Sequence, residues 1–191
     1  IELLINHGVD EIAINVHHLA DQIKDFINKN KYKAKITISH EKDTLLDTGG
    51  GILNATKSFK EPFAVVNPDT LWSNAYSNEL RDLEDLYFKQ KKPCLLLVNK
   101  NLSHDSSFNG DFNLKDSIVS KDNNNKFIFT GLQILDQSVF KFIKDKIFSM
   151  NDIWNNLIEK KSLTGTESSQ KFYHLNTKKM HDKILDLNIT D

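Results

Sequence analysis

Hydrophobic and polar positions change period several times along the chain, and each change marks an element. Ile1, Leu3, Leu4 and Ile5 run up to Gly8 as the last turns of a helix closed by a C-terminal glycine. Glu11–Val16 alternates and is rich in β-branched residues, which predicts a strand. Leu19, Ile23, Phe26 and Ile27 fall at helical spacing and predict a helix over 19–30. A second strand is expected over 34–39. Thr48-Gly49-Gly50-Gly51 then opens a short helix through Ile52, Leu53 and Ala55. Phe63–Val66 is a short, wholly apolar strand that ends at Asn67-Pro68-Asp69, and a helix over 78–90 leads into the strand Cys94–Asn99.

The second half is more broken. A polar loop over 99–109 precedes short strands near 111–114 and 117–120, with a turn over 121–125. Phe127–Leu135 predicts a longer strand, followed by helices near 138–143 and 152–160, a strand near 171–175 and a closing helix over 178–187. Alternating strands and helices in the first half argue for an α/β fold: a mixed, mainly parallel, Rossmann-like sheet with helices on both faces. No internal repeat, linker or low-complexity tract divides the 191 residues, so one domain is expected.

Composition narrows the classes. Hydrophobic residues at 39% and charged residues at 27% suit a globular chain, not a disordered one. A net charge of −1 provides no basic field for nucleic acid, so any polyanion must be met by local groups. The single cysteine, Cys94, lies in the apolar run Cys94-Leu95-Leu96-Leu97-Val98 and reads as a buried structural thiol. No apolar stretch has the length of a membrane span and the start is not a signal peptide, which makes the cytoplasm the default location. The opening in mid-helix, without an initiator methionine, leads us to expect upstream sequence.

Several residues could carry chemistry. Asp69 stands just past the C-terminal end of an apolar strand, where open parallel sheets bind ligands, and its carboxylate could hold Mg2+ against a nucleotide phosphate. Asn-Pro-Asp is equally an ordinary strand-ending turn. Thr48 is suited to cap a helix, and Gly49, Gly50 and Gly51 expose backbone to a flat or anionic ligand; a flexible turn explains them as well. They form neither a Walker loop nor a Gly-x-Gly-x-x-Gly fingerprint. Gly110-Asp111 and Thr130-Gly131 pair a glycine amide with a polar side chain, which suits sugar hydroxyls and also suits strand ends and bulges. His17-His18 read as surface or capping residues, no Cys/His cluster has zinc spacing, and His174 lies near the end of the late strand.

Taken in order, these stretches resemble the sugar-1-phosphate nucleotidyltransferases, above all the bacterial group of N-acetylmuramate-1-phosphate uridylyltransferases and mannose-1-phosphate guanylyltransferases. The likeness runs through Ile14 to Ile23, Glu41, Leu46-Asp47-Thr48-Gly49-Gly50-Gly51-Ile52, Val65-Val66-Asn67-Pro68-Asp69-Thr70-Leu71-Trp72, Gly110-Asp111-Phe112, Phe129-Thr130-Gly131 and Tyr173-His174-Leu175-Asn176-Thr177. Its specific part is Thr-Gly-Gly-Gly followed by Val-Val-Asn-x-Asp. The resemblance implies a nucleotide-diphospho-sugar transferase fold, with 1–99 as the nucleotide-binding half and 100–191 as the sugar-binding half. It places Thr48, Gly49, Gly50, Gly51 and Asn67 on the nucleotide, Asp69 on the catalytic Mg2+, and Gly110, Asp111, Thr130, Gly131 and His174 on the sugar side. The implied substrates are UTP or GTP and a sugar 1-phosphate; neither nucleic acid nor a membrane is a partner, and the oligomeric state is not legible.

The chain departs from that pattern in three places. The family's opening strand, Gly-rich loop with Arg, and Pro-Lys are not among these residues; they correspond to about one βα unit, on the order of 30 residues. The 191 residues by themselves are therefore expected to bind a nucleotide-sugar weakly and not to release pyrophosphate at a useful rate. Pro68 replaces a common glycine and removes a backbone N–H. His174 stands where the family's Asp-Val-Gly-Thr motif has a second metal-binding Asp, and neutral imidazole is a poor Mg2+ ligand. A non-catalytic nucleotide-sugar binding module is the alternative; an NAD-dependent oxidoreductase is disfavoured because no dinucleotide fingerprint follows the first strand.

Overall fold

A computed structural model of the chain describes residues 1–186. In chain order its elements are α1 (Glu2–Asn6), β1 (Glu11–Val16), α2 (Ala20–Lys29), β2 (Lys35–His40), α3 (Asp47–Thr56), β3 (Phe63–Val66), α4 (Ser77–Gln90) and β4 (Cys94–Asn99). There follow β5 (Asn113–Lys115), β6 (Ile118–Ser120), β7 (Phe127–Leu135), α5 (Met150–Glu159), β8 (Thr164–Ser168) and α6 (Lys178–Asp186). The expected end of the last helix at Leu187 lies outside the described residues.

Two compact units are distinguished, Ile1–Pro62 with Asp136–Asn155, and Phe63–Leu135 with the chain from Asn156 onward. In the first, β1 and β2 pair in parallel from Glu11 opposite Lys35 to Val16 opposite His40, and α3 packs on both strands. The alternation that predicted β1 puts Ile12 and Val16 in the core.

The second unit is built on a six-stranded sheet in the order β3-β7-β4-β8-β6-β5. From the pair orientations, β3, β4, β5 and β8 run one way, while β6 and β7 run against them. The result is the expected α/β class, a mixed sheet whose strands mainly share one direction, flanked by helices. Strand β4 lies between β7 and β8, and Cys94 to Val98 are all fully buried, which is why that run is apolar without alternation. Helix α4 lays Leu80, Leu83 and Tyr87 at helical spacing against this sheet. Burial pushes the Cys94 thiol up to about 12, and its Sγ reaches the Leu83 carbonyl at 3.4 Å, as suits a structural cysteine.

Three elements differ from expectation. The helix near 138–143 is a single 3-10 turn, Gln137–Phe140, because the apolar period fails there: Val139 and Phe140 are buried but Phe142 is exposed. The strand near 171–175 is reduced to isolated bridges at Phe172 and His174. Strand β8 has no counterpart among the expected elements, because Thr-Gly-Thr-Glu-Ser carries no hydrophobic signal. Among the described residues no helix is long and apolar enough to cross a membrane.

Candidate active site

In the first unit, Asp47 enters α3 with φ of +61°, and the three glycines follow as its first turns, all buried. Their missing side chains have a structural use. A Cβ on Gly49 would stand 2.3 Å from the Phe148 ring, and one on Gly50 would stand 2.5 Å from the Lys146 carbonyl oxygen. The Gly49 and Gly50 N–H groups both donate to the Phe148 carbonyl, at 3.0 and 3.1 Å. That carbonyl therefore satisfies two donors that a helix start otherwise leaves open. Thr48 does not cap its own helix, whose N-cap is Leu46 without a side-chain bond; its Oγ1 accepts instead from the N–H of Met150 at the start of α5, at 2.9 Å. Two helix starts thus cap each other. Phe148 has no local sequence signal for this role, since its partners lie far away in the chain.

In the second unit, the segment leaving β3 is held at several points. The Asn67 N–H donates to the Gly131 carbonyl at 2.8 Å, and the Asn67 carbonyl accepts from Trp72 Nε1 at 2.8 Å. Gly131 has φ of +93° in the stretch of β7 opposite a register shift in β4, and a Cβ there would lie 2.7 Å from that of Asn67. Only glycine combines that conformation with so close an approach. Thr130 is buried, with Oγ1 donating to the Leu96 carbonyl at 2.9 Å while its own carbonyl accepts from Thr70 Oγ1 at 2.7 Å. Gly110 lies hard against the Asn125 carbonyl, which a Cβ would approach to 2.3 Å.

Beyond Pro68, residues 69–71 pair with 173–175: Leu175 N–H donates to the Asp69 carbonyl at 2.6 Å and Leu71 N–H to the Tyr173 carbonyl at 3.0 Å. This ladder sets His174 beside Asp69, with Nε2 3.1 Å from Oδ2. The ring is held by Phe172, stacked at 5.9 Å, and by Phe108, edge-on at 5.4 Å. Neither phenylalanine stood out in the sequence as a site residue. The Asp69 side chain is 46% exposed, whereas its Oδ1 is shut from solvent without a hydrogen-bond partner, as is His174 Nδ1. A desolvated carboxylate oxygen left bare is costly, so Oδ1 is the atom of this group with capacity left to accept a donor or a cation.

Asp111 accepts the Phe129 N–H on Oδ2 at 2.9 Å. The residue as a whole is exposed, but its carboxyl is crowded from one side. Desolvation raises it above the ordinary aspartate value, against the lowering influence of the Phe129 N–H, Lys121 and His174. Among the described residues, no three His, Cys, Asp or Glu side chains gather as a metal-binding group. Asp69 is a single carboxylate there, and a hard cation such as Mg2+ held by it would need its other ligands from elsewhere.

The fold is shared with solved nucleotidyltransferases, and the resemblance carried by the sequence motifs agrees with a curated relative. No family model matches the sequence. The N-acetylmuramate alpha-1-phosphate uridylyltransferase of Caulobacter vibrioides is 24% identical over 184 residues, covering 92% of this chain and 76% of that protein. HddC from Yersinia pseudotuberculosis, solved in complex with GMP-PN, superposes with a TM-score of 0.76 at 20% identity, covering 97% of this chain and 82% of that one. A UDP-glucose pyrophosphorylase complexed with UDP-glucose superposes with a TM-score of 0.73 at 16% identity, covering 97% and 83%.

Proposed function

We propose that the chain is the body of an enzyme that joins a sugar 1-phosphate to a nucleoside triphosphate, releasing pyrophosphate. A sugar-phosphate oxygen attacks the α-phosphorus in line, the new O–P bond forms, and the bond to the β-phosphate oxygen breaks. The observation that carries this reading is Asp69, a strand-end carboxylate with one oxygen occupied by His174 and the other buried and bare. Mg2+ bound there would offset charge on the reacting phosphates. His174 then acts by orienting Asp69, and it is a partner of the carboxylate more than a ligand.

The remaining roles extend the same reading. Thr48, Gly49, Gly50, Gly51 and Asn67 belong to the nucleotide side; Gly110, Asp111, Thr130, Gly131 and His174 belong to the sugar side. Because Phe148 already occupies the Gly49 and Gly50 N–H groups, the glycines serve as a wall for the nucleotide, not as its hydrogen-bond donors. Positioning and charge neutralisation supply the catalysis. UTP with an N-acetylated amino-sugar 1-phosphate is the preferred pair, supported by the Caulobacter relative, ahead of GTP with mannose 1-phosphate. The 191 residues taken alone are proposed to bind the nucleotide-sugar without turning over, because within them no Gly-rich anion cradle pairs with Arg or Lys to meet a triphosphate.

The test is pyrophosphate release by the natural gene product and its Asp69→Asn variant, over UTP and GTP against a panel of sugar 1-phosphates. Asn keeps the shape and removes the charge, so turnover falls by more than about tenfold, or about 1.4 kcal/mol, with folding unchanged. A folded variant within that margin would overturn the role of Asp69, and a clear preference for GTP would overturn the choice of base.

A further inference from the structure

Glu41 carries a buried carboxyl at the end of β2, apart from the Asp69 site. Glu41 directly follows β2, is 5% exposed, and has both oxygens met by neutral donors. Asn15 Nδ2, from β1, reaches Oε1 at 3.2 Å, and the N–H of Leu46, the residue that leads into α3, reaches Oε2 at 2.9 Å. The main chain is fixed too, with the Glu41 N–H donating to the Val16 carbonyl at 2.8 Å and its own carbonyl in contact with His17 Nδ1 at 2.6 Å. Oε1 also stands 2.8 Å from the place a Cβ would take on Gly51.

A carboxyl taken out of water is costly unless both oxygens are occupied. Here the occupants come from β1 and from the entry to α3, so one side chain ties the end of β2 to both. Aspartate would fall about 1.5 Å short of them. The third glycine has a matching reason: a larger residue there would displace this carboxyl. The loop between Glu41 and Leu46 is exposed from Lys42 to Leu45, so the carboxyl is its closing link.

We propose that Glu41 is a positioning residue for nucleotide binding, setting the placement of the glycine turn without touching the nucleotide. The inference rests on the reading of Thr48 to Gly51 as the nucleotide side. It is tested by calorimetric titration of the chain with UDP and with GDP. Glu41→Met is close in shape and has no acceptor, so it leaves Leu46 N–H and the Asn15 amide unmet. The folded variant should bind the preferred nucleotide about tenfold or more weakly, with its circular dichroism unchanged. Glu41→Gln should recover most of the loss, since its oxygen can accept from Leu46 while the Asn15 amide turns to meet its NH2.

A role confined to stability would lower the melting temperature and leave the affinity of the folded protein as it was. A folded Glu41→Met variant that binds like the parent overturns the inference, as does a Gln variant as weak as the Met one. Should Glu41→Met not fold, Glu41→Asp replaces it, because the shortened acid keeps the charge and falls short of both donors. It should bind more weakly than Glu41→Gln, and equal affinities in the two would overturn the inference. A parent that binds neither nucleotide removes the nucleotide reading itself, whereas a binding parent with an unaffected Glu41→Met removes this inference alone.

Discussion

Asp69 and Asp111 are aspartates of similar sequence appearance with opposite environments. Asp69 has a histidine on one oxygen, while desolvation raises the Asp111 carboxyl above its ordinary value. Because the folded state holds the Asp111 proton more tightly than the unfolded chain does, stability falls as pH rises from the ordinary value of 3.8 through the raised one, and stays lower above it. Asn would keep an acceptor for the Phe129 N–H with no charge to desolvate. Asp111→Asn is therefore expected to melt at or above the parent's temperature at neutral pH, and the difference should vanish near pH 3, where the Asp111 carboxyl is protonated in the folded and the unfolded chain alike. A parent clearly more stable at neutral pH would show that the carboxylate makes a net favourable contact. Weakened binding of a sugar phosphate by the same variant would accompany its proposed place on the sugar side. The sequence singled out both aspartates by position, but the bare oxygen of one and the crowding of the other depend on partners from distant segments.

Among the elements, β4 and β8 show the two extremes of legibility. The run Cys94 to Val98 announces a strand buried on both faces, and that is its place. Its neighbour β8 is just as interior at Thr164 and Ser168, both fully buried, yet polar in sequence. These two hydroxyls find partners on distant segments: Thr164 Oγ1 donates to the Pro93 carbonyl at 3.0 Å and Ser168 Oγ to Glu79 at 3.4 Å. Small residues let it sit close to its neighbours, and Gly165 marks the tightest point, where a Cβ would lie 2.9 Å from the Leu95 carbonyl oxygen and 3.0 Å from Val119. Gly165→Ala should cost about 1–3 kcal/mol through overpacking, read as a lower urea midpoint. An unchanged midpoint would mean that β8 can withdraw from β4 freely. Likewise, Thr48 was legible as a residue suited to capping, but the helix start it caps is that of α5, not its own.

At the scale of the whole molecule, burial links two titrations to folding. The Tyr76 phenol is pushed up to about 12 by desolvation first and by Glu79 and Tyr173 after it, and the Cys94 thiol is pushed to about 12 by desolvation. Both groups keep their protons in the folded state at pH values where the unfolded chain loses them, at 9.0 for the thiol and 10.0 for the phenol. Stability is thus fully present below about pH 9 and is lost as pH rises towards about 12. Loss of ellipticity, reactivity of the thiol and the share of phenolate absorbance due to Tyr76 should appear in one alkaline transition. Ionisation of Tyr76 near its ordinary value in a protein that remains folded would contradict that burial. The sequence by itself determined the α/β class, the positions of β1, β3, β4 and β7, the buried thiol, and the order of motifs that carries the family resemblance. These are legible because side-chain periodicity and apolar runs record, residue by residue, which faces leave water. The tertiary structure alone decided that His174 stands on Asp69, that the Phe148 carbonyl takes the glycine amides, and that a polar pentapeptide is a core strand. Hydrogen-bond partners brought from remote segments leave no periodic trace in the chain that receives them.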